Sequence, residues 1–408
     1  MALAIVALTV FGSAARAVAQ QLTVLHSFDS NGSDGAFPFG TPIFAGSGNL
    51  YGATPAGGDH NYSGTVFEMK LSGGEGWTER VLYNFGNGKD GVDPATTLVL
   101  DSSGNLYGTT EKGGIYGFGM AFELVPQADG RRKEKVLHQF GDSSTDGTQP
   151  ICNLIFDAAG NLYGTTRFGG AYAHGTVFEL LPSADGQWTE KILYSFGSYT
   201  GDGWSPWAGL VMDAAGNLYG MASSGGSSIV YGAVFELMPS AGGSWTEKLL
   251  HSFTFGDGAF PGFGALILDR SGKLYGTTFR GGNFGTGDGI VFALAPDSSG
   301  NWTERVLHSF GENLEDGQQP YSGVVADAEG NLYGTTSIGG IHGKGIVFEL
   351  SRSADGHWTK TILHTFGETS VDASGSYSSL LLDRSGNLYG TTDSGGVYNN
   401  GTVFEIKR

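Results

Sequence analysis

Three features of the sequence predict an all-β, seven-bladed β-propeller. A tripeptide recurs seven times, four strand signals fill each interval, and the last repeat lacks a strand that the start of the chain supplies. The tripeptide is Leu-Tyr-Gly, with its tyrosine at Tyr51, Tyr107, Tyr163, Tyr219, Tyr275, Tyr333 and Tyr389, at spacings of 56, 56, 56, 56, 58 and 56. A β-helix coil is shorter than this period, and helical repeats would need apolar stripes of period 3.6, which do not occur.

The second repeat shows the four strands in order. Residues 98–101 are a short apolar run, strand A. Ser102-Ser-Gly104-Asn105 makes a tight turn, with Gly104 free to take a positive φ. Residues 106–110 form strand B, and a glycine-rich loop over 113–119 leads into strand C at 121–124. A polar hairpin at 127–132 follows, which in the third repeat reads Ser183-Ala-Asp-Gly-Gln-Trp188. Strand D covers 134–140, and a loop carrying Asp146-Gly147 and Pro150 opens the next repeat.

The ends of the chain decide between a ring and an open stack. Residues 22–28, Leu-Thr-Val-Leu-His-Ser-Phe, are a strand D without its own A, B and C, and residues 401–406 are a strand C with no D after it. Each half completes the other, and a closed ring leaves no free sheet edge. The expected blades are therefore about 38–85, 94–140, 150–196, 206–253, 261–310 and 320–366, with 376–406 plus 22–28 as the seventh, all in a single domain spanning 20–408.

Composition agrees with this class. The chain holds 71 Gly, far above the usual share of about 7%, together with 26 Phe, 17 Tyr and 7 Trp. Glycine without a three-residue period excludes collagen, and so much aromatic area excludes disorder. A formal charge of −18 argues against nucleic acid or anionic lipid as partner. Residues 1–19 read as a signal peptide: an apolar run over 2–11, small residues, then Ala17-Val18-Ala19 as a cleavage pattern. No stretch is long enough for membrane insertion. The expected location is secreted and extracellular, with the periplasm as the alternative. The single cysteine, Cys152, can form no internal disulfide and reads as a buried small hydrophobe.

The blocks Gly-Asn-Leu-Tyr-Gly-Thr-Thr (104–110, 160–166, 386–392) and Gly-Thr-Val-Phe-Glu (175–179, 401–405) resemble the GloVer tandem-repeat proteins of bacteria, over essentially all of residues 22–408. Strands A and B, with Asp-x-x-Gly-Asn-Leu-Tyr, have a looser likeness to NHL-type propellers. The first resemblance implies an exported bacterial protein, in a family whose members often carry a C-terminal anchor. This chain ends at Arg408, just after a strand C, so free secretion is the expectation. The family's repeat motif brings no catalytic residues with it.

In a blade running A-B-C-D, the D-to-A and B-to-C loops share one face, and there the repeats differ most. An aspartate recurs in the D-to-A loops, at Asp34, Asp90, Asp146, Asp202, Asp257, Asp316 and Asp372. It could ring a Ca²⁺ ion or cationic ligand, but a residue present in every blade is expected to serve the fold by capping its own turn. The aspartate ending strand A and the glutamate of Val-Phe-Glu are read as structural for the same reason. His26, His138, His251, His308 and His364 share one strand D position with Tyr83 and Tyr194, which reads as packing. His60, His174 and His342 lie in separate B-to-C loops without a local metal motif. No cofactor is expected.

Residues that break the repeat carry more information. Near strand A stand Trp204, Trp207, Phe263, Tyr321 and Tyr377; the B-to-C loops add Tyr62, Tyr116, Tyr172, Tyr231 and Tyr398; and Glu111, Lys112, Arg167, Arg280 and Asp393 follow strand B. Aromatic faces beside a few polar groups suit a sugar ring or a peptide. The candidate ligand-binding set is Arg167, Tyr172, His174, Trp204, Trp207, Arg280, Tyr321 and Tyr377. The expected function is a monomeric binding or scaffold protein that recognises an extracellular carbohydrate or protein through its loop-rich face. The alternative is a carbohydrate-active enzyme, a polysaccharide lyase or glycoside hydrolase working at the channel mouth. In a lyase Arg167 or Arg280 would neutralise a uronate. A metal-dependent lactonase-like hydrolase ranks last, since Asn153 is the one obvious amide at that level.

Overall fold

A computed structural model describes residues 20–29, 31–73, 76–227, 230–262, 264–284 and 287–408. Residues 1–19, read from the sequence as a signal peptide, and Phe263 lie outside the described residues. Among the described residues the secondary structure is β apart from a single 3-10 turn, Phe255–Asp257. Seven small antiparallel sheets, each with strand order A-B-C-D, are arranged as a seven-bladed propeller. In blade 2 the strands are Val99–Leu100, Leu106–Thr110, Met120–Pro126 and Arg132–Gln139.

The first strand, Leu22–Ser27, pairs antiparallel with the last, Thr402–Ile406, so the two ends of the chain share blade 7. The pairing runs from Leu22 opposite Ile406 to Ser27 opposite Thr402, with a bulge between Val24 and His26. Beyond it, the Phe28 N–H donates to the Gly401 carbonyl at 3.0 Å.

The core lies between blades. Each strand D ends in a fully buried phenylalanine that packs on the strand C phenylalanine of the next blade, with ring centres 5.0–5.5 Å apart. Phe28 of blade 7 meets Phe67 of blade 1, and Phe366 of blade 6 meets Phe404 of blade 7. Such tilted aromatic pairs are favourable beyond the area they bury. The ring closes by the same contact that joins every other pair of blades.

The same phenylalanines explain the glycine of Leu-Tyr-Gly. A Cβ at Gly220 would lie 2.4 Å from Cζ of Phe235 and 2.8 Å from Leu210, and the equivalent clash recurs in every blade. This glycine is required because a ring lies across it. Gly220→Ala is expected to cost about 1–3 kcal/mol through overpacking, whereas Gly46→Ala, in open space, should leave the melting temperature unchanged. Equal melting curves for the two variants would contradict this packing account.

The motif tyrosine holds the opposite face of the blade together. The Tyr163 hydroxyl lies 2.7 Å from Glu179 on strand C and 3.1 Å from Asp157 at the end of strand A. Asp157 accepts from the backbone N–H groups of Ala159 and Asn161 and so caps the A-to-B turn. In blade 5, where Ala293 stands in place of the glutamate, Tyr275 keeps only the aspartate, Asp269, at 3.2 Å.

Candidate functional site

The D-to-A and B-to-C loops meet on one face, as the strand order requires. In six blades they pair as a short two-stranded ribbon, for example Gly91–Val92 with Lys112–Gly113. In blade 5 Ala259–Pro261 joins the main sheet instead, with Ala259 opposite Arg280.

A left-handed residue then turns each D-to-A loop toward the channel. Phe37 (φ 58°), Asp93 (68°), Gln149 (56°), Ser205 (53°), Phe260 (53°) and Gln319 (57°) all take this backbone without being glycine, and Gly375 (68°) holds the seventh place. Non-glycine residues in this region cost on the order of 1 kcal/mol or more and need compensation. Two hydrogen bonds supply it. The N–H donates to the preceding blade's B-to-C loop, as from Gln149 to Phe118 O at 2.9 Å and from Ser205 to His174 O at 2.8 Å. The carbonyl accepts from the residue after strand B where that residue has an N–H, as from the Glu111 N–H to Asp93 O at 2.9 Å and from the Arg167 N–H to Gln149 O at 3.1 Å. In blade 1 that place is Pro55, which cannot donate.

This latch seats two rings of variable residues around the channel mouth. One ring follows the loop proline, or Ser376 in its place in blade 7, and includes Phe39, Ala95, Ile151, Trp207, Tyr321 and Tyr377. The other stands three places after the Gly of Leu-Tyr-Gly and includes Glu111, Arg167, Asp393 and Phe279, the last within the longer strand Leu274–Arg280 of blade 5. Part of both rings, with a lower polar ring of Thr41, Thr97, Asn153 and Ser379, lines a cavity of about 410 Å³. The lower ring is tied blade to blade, with the Thr41 N–H donating to Thr97 Oγ1 at 3.0 Å and the Thr97 N–H to Asn153 Oδ1 at 2.9 Å.

The mouth has a charged side and an aromatic side. On blades 2 and 3, Arg167 holds its guanidinium 4.1 Å from the Trp207 ring centre and 4.6 Å from that of Phe168, and its buried Nε has no hydrogen-bond partner. Burial lowers the Arg167 pKa while Glu111 opposes the shift. Lys112 pairs with Asp93 at 2.9 Å. Burial and then Asp93 raise the Glu111 pKa, against the pull of Lys112.

The aromatic side runs through blades 1, 7, 6 and 5. Phe39 stacks on Tyr377 at 4.7 Å, Tyr377 meets Tyr321 at 4.8 Å, and Tyr321 stacks on Phe279 at 4.8 Å. Phe279 continues to Phe260 at 5.7 Å. Burial raises the Tyr377 pKa, helped by Asp393 and Tyr321. Burial likewise raises the Asp393 carboxyl.

Of the residues singled out in the sequence, Arg167, Trp207 and Tyr377 line the cavity, and Tyr321 stands in the aromatic run beside it. The other four lie elsewhere. Trp204, on the far side of the left-handed Ser205 from Trp207, pairs in the ribbon and stacks on His174 at 4.5 Å. Tyr172 is exposed in the B-to-C loop of blade 3. Arg280 lies over Phe279 at 5.7 Å and donates to the Gln319 side-chain oxygen at 3.2 Å in the amide orientation that satisfies both. Sequence reasoning passed over Phe39, Asp93 and Phe279. Aligning each repeat on its loop proline and on the residue after strand B would have found all three.

The aspartates of the D-to-A loops are engaged in their own turns. Asp146 accepts from the N–H groups of Gly141 at 2.6 Å and Asp142 at 3.1 Å, and Asp202 from Gly197 at 2.7 Å and Ser198 at 2.9 Å. Each also contacts the strand D histidine or tyrosine, as in His138–Asp146 at 3.2 Å and Tyr194–Asp202 at 2.9 Å.

Among the described residues no helix is long and apolar enough to cross a membrane. A family model described as the Gloeobacter/Verrucomicrobia repeat matches residues 9–202, 131–313 and 286–408. Among curated proteins none matches the chain. The fold is similar to the extracellular domain of a protein described as a one-component system from B. thetaiotaomicron: TM-score 0.56, 14% identity, covering 95% of this chain and 42% of that one. It is also similar to PorZ, a surface component of the type-IX secretion system of Porphyromonas gingivalis: TM-score 0.51, 16% identity, covering 90% and 46%. The chain thus spans less than half the length of either.

Proposed function

The chain belongs to the Gloeobacter/Verrucomicrobia repeat family, and from that premise we propose that it is an exported, monomeric binding module that takes a carbohydrate in the mouth of its central channel. The observation that carries this reading is the two-sided cavity. Arg167, Glu111, Asp93 and Asn153 bring donors and acceptors to one part of it, and Phe39, Trp207 and Tyr377 bring ring surface to the rest. A sugar presents the same duality, hydroxyls at its edge and C–H groups on its face. A cavity of about 410 Å³ suits a small ring better than a protein surface. Export accords with the apolar leader and with structural relatives that are surface or extracellular domains.

A glycan array followed by calorimetry tests the proposal. Trp207→Ala and Tyr377→Ala should each weaken binding about 10-fold, the loss of roughly 1.4 kcal/mol of ring contact. Tyr172→Ala, outside the cavity, should bind as the parent does. No binding to any neutral or uronate glycan would end the carbohydrate reading.

One observation favours a carbohydrate-active enzyme as the second reading. Asp93 and Glu111 share the cavity, and burial together with the neighbouring Asp93 raises the Glu111 pKa, as a general acid requires. Turnover of a bound polysaccharide that Glu111→Gln abolishes without loss of binding would select it.

A further inference from the structure

Each blade interface brings together the same three positions: the strand D histidine or tyrosine, the D-to-A aspartate, and a residue two places into strand D of the next blade. At the interface of blades 2 and 3 these are His138, Asp146 and Glu190, and at the seam of blades 7 and 1 they are His26, Asp34 and Glu79. In both, one ligating atom from each residue lies within 4.8 Å of the other two.

We propose that the interface of blades 2 and 3 binds a divalent ion of the zinc class through His138, Asp146 and Glu190, and that His26, Asp34 and Glu79 form a second copy of the site at the closing seam. The spacing supports this. His138 Nε2 lies 3.2 Å from Asp146 Oδ2 and 3.7 Å from Glu190 Oε2, and His26 Nε2 lies 3.1 Å from Asp34 Oδ2. Tetrahedral ligands about 2.0–2.1 Å from zinc stand about 3.3 Å apart. One imidazole with two carboxylates suits zinc, whereas calcium takes six to eight oxygens. The Asp146 side chain is 1% exposed, yet its Oδ1 has no hydrogen-bond partner, and neither has the buried Oε1 of Glu190 or of Glu79. Glu134, Glu247 and Glu304 at other interfaces keep the same unpartnered Oε1, so what sets the two sites apart is the histidine gathered with both carboxylates. Buried carboxylate oxygens without partners are costly unless a cation or proton meets them.

Between blades 4 and 5 His251, Asp257 and Glu304 hold the same positions, but their ligating atoms are not gathered within 4.8 Å as in the two sites. Three further interfaces act as internal controls. Between blades 5 and 6 the glutamate position is Lys360, whose ammonium pairs with Asp316, so the protein itself supplies the cation. In two others Tyr83 and Tyr194 replace the histidine and donate to Asp90 and Asp202. The site is distinct from a calcium ring around the channel, since each copy lies between two blades. The ion at the seam would tie strand Leu22–Ser27 to blade 1 by a bond other than the β-ladder.

The test uses the full exported chain, stripped with a chelator and dialysed against Zn²⁺, Mn²⁺, Ca²⁺ or Mg²⁺, with bound metal counted and melting followed. Two zinc ions per chain are expected, with a melting temperature raised by about 5 °C at 100-fold excess over Kd. His138→Tyr copies a residue found at equivalent interfaces, so it should fold and bind one ion fewer, as should Glu79→Gln. Absence of zinc binding, binding of calcium alone, or a stoichiometry that neither variant changes would overturn the proposal.

Discussion

Deleting residues 20–28 is expected to convert the protein into an aggregating species. The deletion removes the strand that covers Thr402–Ile406 and exposes the edge of blade 7. It also removes Phe28, which with Leu50, Phe67, Met69, Tyr389 and Val403 forms the core between blades 7 and 1. A milder variant separates the packing from the ladder. Phe28→Ala keeps the strand and should cost about 3–5 kcal/mol, since the residue is fully buried. Size-exclusion chromatography and thermal melts check both. A monomeric deletion variant with an unchanged melting curve would show that the seam does not hold the ring.

With metal removed by a chelator, stability is expected to fall as the pH rises from 5 to 9. Three interface carboxyls outside the proposed metal sites drive this. Burial raises Glu134 to about 9, aided by Asp90, with Tyr83 opposing. Burial raises Glu247 to about 7, with the Tyr199 hydrogen bond opposing and Asp202 reinforcing. Burial and then Asp257 raise Glu304 to about 7. In each case the folded pKa lies above the unfolded value of about 4.5. The contribution is therefore complete below pH 4.5 and is lost as the unfolded chain ionises while the folded one keeps its proton. The decline spans pH 4.5 to 7 for Glu247 and Glu304 and continues to 9 for Glu134. A melting temperature at least about 5 °C lower at pH 9 than at pH 5 is expected. Glu134→Gln, neutral at every pH, should flatten the upper part of the slope. A melting temperature that rises over this range would refute the protonated-carboxyl account.

Much of this was legible before any coordinates. Leu-Tyr-Gly marks strand B because its leucine and tyrosine are buried in blade after blade, and the split repeat foretold the pairing of residues 22–27 with 402–406. Arg167, Trp207 and Tyr377 were visible at the mouth because they depart from their counterparts in other repeats. Trp204 and Trp207 departed equally, yet only one lines the cavity. Ser205 between them takes a left-handed backbone that composition does not reveal. The repeated strand D histidines looked like packing alone. The approach of His138 and His26 to a glutamate of the next blade needed the angle between two sheets.

The sequence by itself determined seven blades, their strand order and the closure, because short strand signals and repetition at a nearly constant period are local features that survive without coordinates. The tertiary structure decided which variable residues meet. Contacts in a propeller run sideways between blades, so partners such as Phe39 and Tyr377 come from opposite ends of the chain. No local pattern links such residues until the ring shuts.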